Sequence, residues 1–131
     1  MIHQSLLNYL GFMAVSVGLL VAALAVYLQV TPYSEIKLIR AGNRAAAFSF
    51  GGTAIGLALT LYGVGTSTWR VMDLAIWGGI GLVFQIIAFF VVAALLGGFK
   101  AGIEEDKVGY GIALGCLSVA IGILNSAALS A

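Results

Sequence analysis

Charge is what this sequence has least of. Its 131 residues include 6 Lys and Arg, 5 Asp and Glu and one His, so 8% are charged, against roughly a quarter in a soluble domain. So few charges cannot cover a water-facing surface, which excludes an ordinary soluble globular protein. A net charge of +1 with no basic stripe excludes a nucleic-acid partner. The single cysteine, Cys116, lies inside an apolar run. It excludes an intrachain disulfide or a thiolate metal cluster, and the redox compartment stays unread. No cleavable leader is expected, because Met1-Ile2-His3-Gln4-Ser5 lacks a basic region and the apolar stretch after it is too long. Also missing are a nucleophile-base pair, a His-Cys ligand cluster and a Gly-rich loop followed by Lys and Ser or Thr. The sequence therefore predicts no catalytic residue, no cofactor site and no metal site, and the chain is read as not an enzyme.

What is present is hydrophobic, at 62% of residues, with 18 Gly and 1 Pro. Four stretches carry no charge: Leu6 to Val30, Ala45 to Trp69, Leu74 to Phe99 and Val108 to Ala131. Each makes a helix roughly 36–39 Å long at 1.5 Å per residue, and a hydrocarbon core about 30 Å thick needs less. A transmembrane barrel would need short alternating segments, and these runs do not alternate. The expected fold is an all-α membrane protein: one membrane domain over residues 1–131 with four spans in the lipid bilayer. Lys37, Arg40, Arg44, Lys100 and Lys107 fall in the first and third loops, and only Arg70 in the second. By the positive-inside rule, both charged loops face the cytoplasm and both termini face outward.

The first loop is expected to hold a short helix at the inner membrane surface, capped by Thr31 with Pro32 at its first position. Tyr33, Ile36 and Ile39 share one face; Gly42 ends the helix and Asn43 caps the next. A shift of 64 residues lays the second span on the fourth: Ile39 falls on Ile103, Gly51 on Gly115, and Phe48, Ile55 and Leu59 on Ile112, Val119 and Ile123. This predicts two two-helix repeat units, 1–67 and 68–131, of the parallel type.

In lipid, small residues let helices approach closely. Gly111, Gly115, Ser118, Gly122 and Asn125 form one stripe on the fourth span. The second span carries Ala45, Ser49, Gly52, Gly56 and Gly63 on one stripe and Ala47, Gly51, Ala54 and Ala58 on another. Gly78 and Gly81 share a stripe of the third span with Gln85. Stripes on two sides suggest neighbours on two sides and a homo-oligomer. Gln85, Ser118 and Asn125 are the candidate intramembrane polar residues, read as interhelical hydrogen bonds or as the lining of a conduit. No charge lies at the bilayer centre, which argues against a proton pump. Glu104, Glu105 and Asp106 are expected to complement the dipole of the fourth helix. Arg70 and Asp73 are expected to pair, with Trp69 and Trp77 as interface anchors.

Thr31-Pro32-Tyr33-Ser34-Glu35, Leu38-Ile39 and Asn43-Arg44-Ala45-Ala46-Ala47 leading to Gly51 resemble the YjfL-like family of small bacterial inner-membrane proteins. Trp77-Gly78-Gly79-Ile80 with Gln85, and Ile123-Leu124-Asn125-Ser126-Ala127-Ala128, extend the resemblance over essentially the whole chain. That resemblance implies four spans, a duplicated two-helix unit, a bacterial inner-membrane location and no established activity. An Asn-x-Ala-Ala opening of both even-numbered helices is part of the pattern. This chain keeps it at Asn43 but has Asp106-Lys107-Val108-Gly109 in the second copy. The function expected is a self-assembling, non-enzymatic membrane component that docks a cytoplasmic protein. Its docking loops would be Glu35, Lys37, Arg40, Asn43 and Arg44 with Glu104, Glu105, Asp106 and Lys107. The alternative is an oligomeric channel or transporter for ions or a small solute.

Overall fold

The computed structural model describes residues 2–68 and 70–131. They form six helices: α1 (Ile2–Val30), α2 (Glu35–Arg40), α3 (Arg44–Gly65), α4 (Val71–Leu96), α5 (Phe99–Glu104) and α6 (Val108–Ser130). No strand occurs among the described residues. Helices α1, α3, α4 and α6 are each long and apolar enough to cross a membrane, so the all-α membrane fold is the one composition requires. The anchor expected at Trp69 lies outside the described residues, and Trp77 is exposed on α4.

The loops differ from expectation in instructive ways. Thr31 does not cap α2; its amide donates to Tyr27 O and its hydroxyl to Leu28 O, both at 3.0 Å. It therefore closes α1, and α2 starts later, at Glu35. Gly42 adopts φ 91°, which glycine reaches without strain, and Asn43 Oδ1 caps α3 by accepting from the Ala46 amide at 2.8 Å. A second short helix, α5, was not expected. Gly97 and Gly98, at φ 74° and 67°, end α4 and turn the chain into it. Its signal lay in the 64-residue shift: the steps from Glu35 to Phe99 and from Arg44 to Val108 are both 64 residues. The closing turns follow the same offset, Asn43 N to Leu38 O at 2.9 Å and Lys107 N to Gly102 O at 2.8 Å.

Helices α3 and α6 run side by side in the same direction and form the tightest contact in the molecule. A methyl group on Gly122 would stand 2.6 Å from Gly56 Cα, and one on Gly111 or Gly52 would strike the backbone of Ala45 or Gly115. Only the missing side chain allows this approach. Helix α4 packs across both, with Gly78 and Gly81 making room for Leu61, Leu19, Thr60 and Leu129. Helix α1 rests on α4 and α3, not along α6, and buries only Ala23 and Tyr27. Near the loop end Tyr27 packs edge-on against Phe89, with ring centroids 5.1 Å apart, in a core with Ala45, Ala93, Ile103 and Leu114.

Gly51 is open: nothing lies within 4 Å of a side chain built there. Gly111→Ala is expected to cost about 2 kcal/mol by overpacking, and Gly51→Ala to cost nothing. Unfolding in mixed detergent micelles reads both, and equal behaviour of the two variants would contradict the packing described.

Candidate functional site

Three polar arrangements are built into the bundle. The first lies between α3, α4 and α6. Gln85 Nε2 donates to Ser118 O at 2.8 Å. Asn125 Nδ2 donates to Gly81 O at 3.0 Å and Thr60 Oγ1 at 3.2 Å, with Gln85 Oε1 at 3.5 Å. Gly56 makes this possible, because a methyl group there would lie 2.7 Å from Gln85 Nε2. The three expected polar residues thus meet, with one difference. Ser118 supplies its backbone carbonyl, while its hydroxyl turns back to Leu114 O at 2.7 Å. Thr60 was missed, although Ser49, Thr53, Gly56 and Thr60 recur at helical spacing on one face of α3. Gln85, Ser118 and Thr60 are buried and Asn125 is partly so. The grooves on the bundle surface are lined by other residues. The arrangement ties three helices together where hydrocarbon offers no partner.

The second arrangement links the two charged loops. Asp106 Oδ1 accepts from the amides of Arg44 and Ala45, both at 2.9 Å. It therefore caps α3, not the helix α6 that follows it in the chain. Its φ of 55° places it at the turn position that Gly42 occupies in the first loop. Asn43 answers by donating to Ile103 O, at the end of α5, at 2.7 Å. Each loop thereby satisfies the orphan backbone groups of the other. Around these bonds Lys37, Arg40, Arg44, Lys100, Glu104, Glu105 and Lys107 are all exposed. Their ion pairs, Lys100–Glu104 at 2.9 Å and Lys107–Glu105 at 3.6 Å, are surface pairs that contribute little. Asn43 is buried and Asp106 half-buried, so neither belongs to the accessible set. At the opposite end, Asp73 accepts from Thr68 at 3.3 Å rather than pairing with Arg70.

The third arrangement corrects the expectation for Glu35. It does not face solvent with the loop charges; it is 2% exposed. Its Oε1 accepts a 2.9 Å hydrogen bond from the Tyr27 hydroxyl, and its Oε2 has no partner. Tyr33 Oη and Ser49 Oγ, buried near the Tyr27 phenol, have none either. Burial pushes the Glu35 carboxyl up to about 7, against the opposing pull of the Tyr27 bond. Burial likewise raises the Tyr33 phenol, helped by the nearby Glu35 charge. The sequence signal was faint: Glu35 sits among loop charges, and only the fold turns it inward.

Gln85→Leu removes the 2.8 Å interhelical bond to Ser118 O and two long ones, of 3.5 Å, at its Oε1, keeps the side-chain volume, and is expected to cost about 1 kcal/mol. Asn125→Leu shares the network, so the double variant should cost less than the sum. Additive losses in mixed-micelle unfolding would mean that the amides act separately.

The chain matches the family described as Domain of Unknown Function (DUF350) over residues 1–129. It is 30% identical over 129 residues to the UPF0719 inner membrane protein YjfL of Escherichia coli strain K12, covering 98% of both chains. It is 28% identical over 129 residues to the UPF0719 transmembrane protein YshE of Bacillus subtilis strain 168, covering 97% of this chain and 96% of that one. No solved structure matches.

Proposed function

The chain belongs to the DUF350 family of multi-pass membrane proteins, and from that premise we propose a non-enzymatic, self-assembling inner-membrane component that presents a rigid charged face to a cytoplasmic protein. The observation that carries this reading is the reciprocal capping of the two loops through Asp106 and Asn43. A loop that served only to connect spans would have no need of a partner loop to hold it. Here two loops are fused into one surface, and its Lys37, Arg40, Arg44, Glu104, Glu105 and Lys107 side chains project outward. Basic residues concentrated at this end support its cytoplasmic side, with both termini outside. The shared 64-residue offset of α2 with α5 and α3 with α6 supports two units from one ancestral hairpin. The interhelical hydrogen bonds of Gln85 and Asn125 support packing rather than pore lining for the intramembrane polar groups.

A photo-crosslinking residue at Arg40 in native membranes is expected to trap one discrete partner. Asp106→Ala, which removes a cap of about 1 kcal/mol, should cut the adduct several-fold without lowering the protein level. No adduct from Arg40 or from Glu104 would sink the docking reading.

Self-assembly is supported by an apolar groove along α3 and α6, lined by Ala47, Gly51, Ile55, Ile112, Cys116 and Val119. Cys116 is exposed there and is the one cysteine of the chain, so mild oxidation in membranes is expected to give a disulfide-linked dimer. Its absence at high expression would count against assembly through this face.

A further inference from the structure

The Glu35 cluster plays no part in the loop surface or in the intramembrane network. A carboxylate this deeply buried needs a compensating charge, and the chain supplies none. The ion pairs among the described residues are Lys100–Glu104 and Lys107–Glu105, and Lys37 and Arg40 of α2 itself are exposed. From α1, Tyr27 faces the carboxyl; from the α1–α2 connection, Tyr33; from α3, Ser49 faces both phenols and Thr53 that of Tyr27. The nearest charge on α5 is Glu104, felt at Tyr33, and it is of the wrong sign.

Charge is half of the deficit. Glu35 Oε2, Tyr33 Oη and Ser49 Oγ come from three segments of the chain, and none meets good hydrogen-bond geometry, although the Ser49 hydroxyl lies close to both phenols. Ser49 is 0% and Tyr33 7% exposed. A proton on Glu35 would remove the charge and give Oε2 one hydrogen to donate, which serves a single hydroxyl oxygen and leaves the other of Tyr33 and Ser49 without a partner. A water molecule would reach the polar atoms but leave the charge. A positive ion answers both deficits at once. The donors are all oxygen, which suits a hard cation and not a soft one. A single carboxylate is a poor match for Ca²⁺ or Mg²⁺, which bind through several oxygens with more negative charge, and no group of three His, Cys, Asp or Glu residues exists among the described residues.

We propose that Glu35, with the hydroxyls of Tyr27, Tyr33 and Ser49, forms a binding site for a small monovalent cation, with Na⁺ as its representative. Bound there, the ion joins α1, the α1–α2 connection, α2 and α3, and so fastens the first loop to the bundle. Because the carboxyl titrates at about 7, protons and the cation compete for it near neutral pH.

The test uses the purified full chain in detergent at constant ionic strength, with NaCl exchanged for choline chloride and the melting temperature as readout. At pH 8, Na⁺ is expected to raise the melting temperature by several degrees, saturably. At pH 5.5, proton competition at a carboxyl of about 7 should raise the half-saturating Na⁺ concentration about 30-fold. Glu35→Gln should abolish the response to Na⁺. Ser49→Ala, a milder change, keeps the carboxylate and should raise the Na⁺ requirement several-fold. Equal melting in NaCl and choline chloride at pH 8, with a response to pH alone, would make the proton the sole occupant and overturn the proposal. A Na⁺ response that survives unchanged in Ser49→Ala or Glu35→Gln would place the ion elsewhere and overturn it equally.

Discussion

From Ala45 to Ser126 the backbones of α3 and α6 meet with almost no side chain between them. Gly52 faces Gly115, Gly56 faces Ser118 and Gly122, Gly63 faces Ser126, and Gly111 lies on Ala45. Lipid tails are as apolar as leucine, so no hydrophobic force draws these helices together. Close atomic contact must do so, and contact improves as side chains shrink. This line sets the register of the whole bundle. It brings Ser118 O within reach of Gln85, and it brings the starts of α3 and α6 together so that Asp106 can cap its neighbour.

The polar groups then follow from where water is absent. Inside the bundle each amide and hydroxyl of the Gln85–Asn125–Thr60 group finds a protein partner, because the alternative is an unsatisfied group in hydrocarbon. The same face of α3 carries Ser49 and Thr53 toward the loop end, where satisfaction fails: Thr53 bonds Ser49 O at 2.8 Å, yet Ser49 Oγ finds no partner of good geometry beside Tyr27 and Tyr33. One helix face thus runs from a hydrogen-bonded network at the middle to an unsatisfied polar cluster at the loop end. The first is what packing alone requires, and the second is more than packing requires.

At the loop end the polar and charged side chains divide into two populations. Asp106, Asn43 and Glu35 turn inward and are used by the fold, while seven others remain in solvent. The inward three are short side chains or lie at helix starts, where orphan amides and neighbouring carbonyls compete for them. The outward ones are mostly Lys and Arg, whose long stems carry charge away from an apolar surface.

Composition and run length alone determined the four spans, and small-residue spacing marked the inner faces of α4 and α6 and offered two for α3, of which the one through Gly52, Gly56 and Gly63 lies against α6. These are properties of single helices, fixed by a 3.6-residue period and by a solvent that tolerates no exposed backbone polarity. Asn43 as a cap and Gly42 as a turn were equally legible, because caps are local. The second short helix was half-legible, present only as the echo of the first across 64 residues. The trans cap from Asp106, the carbonyl rather than the hydroxyl of Ser118, the entry of Thr60 and the burial of Glu35 were decided by the tertiary structure. Each depends on which atoms two distant segments bring within hydrogen-bond reach of each other. No periodicity along one helix encodes that distance; it is set by the glycine contact between two of them.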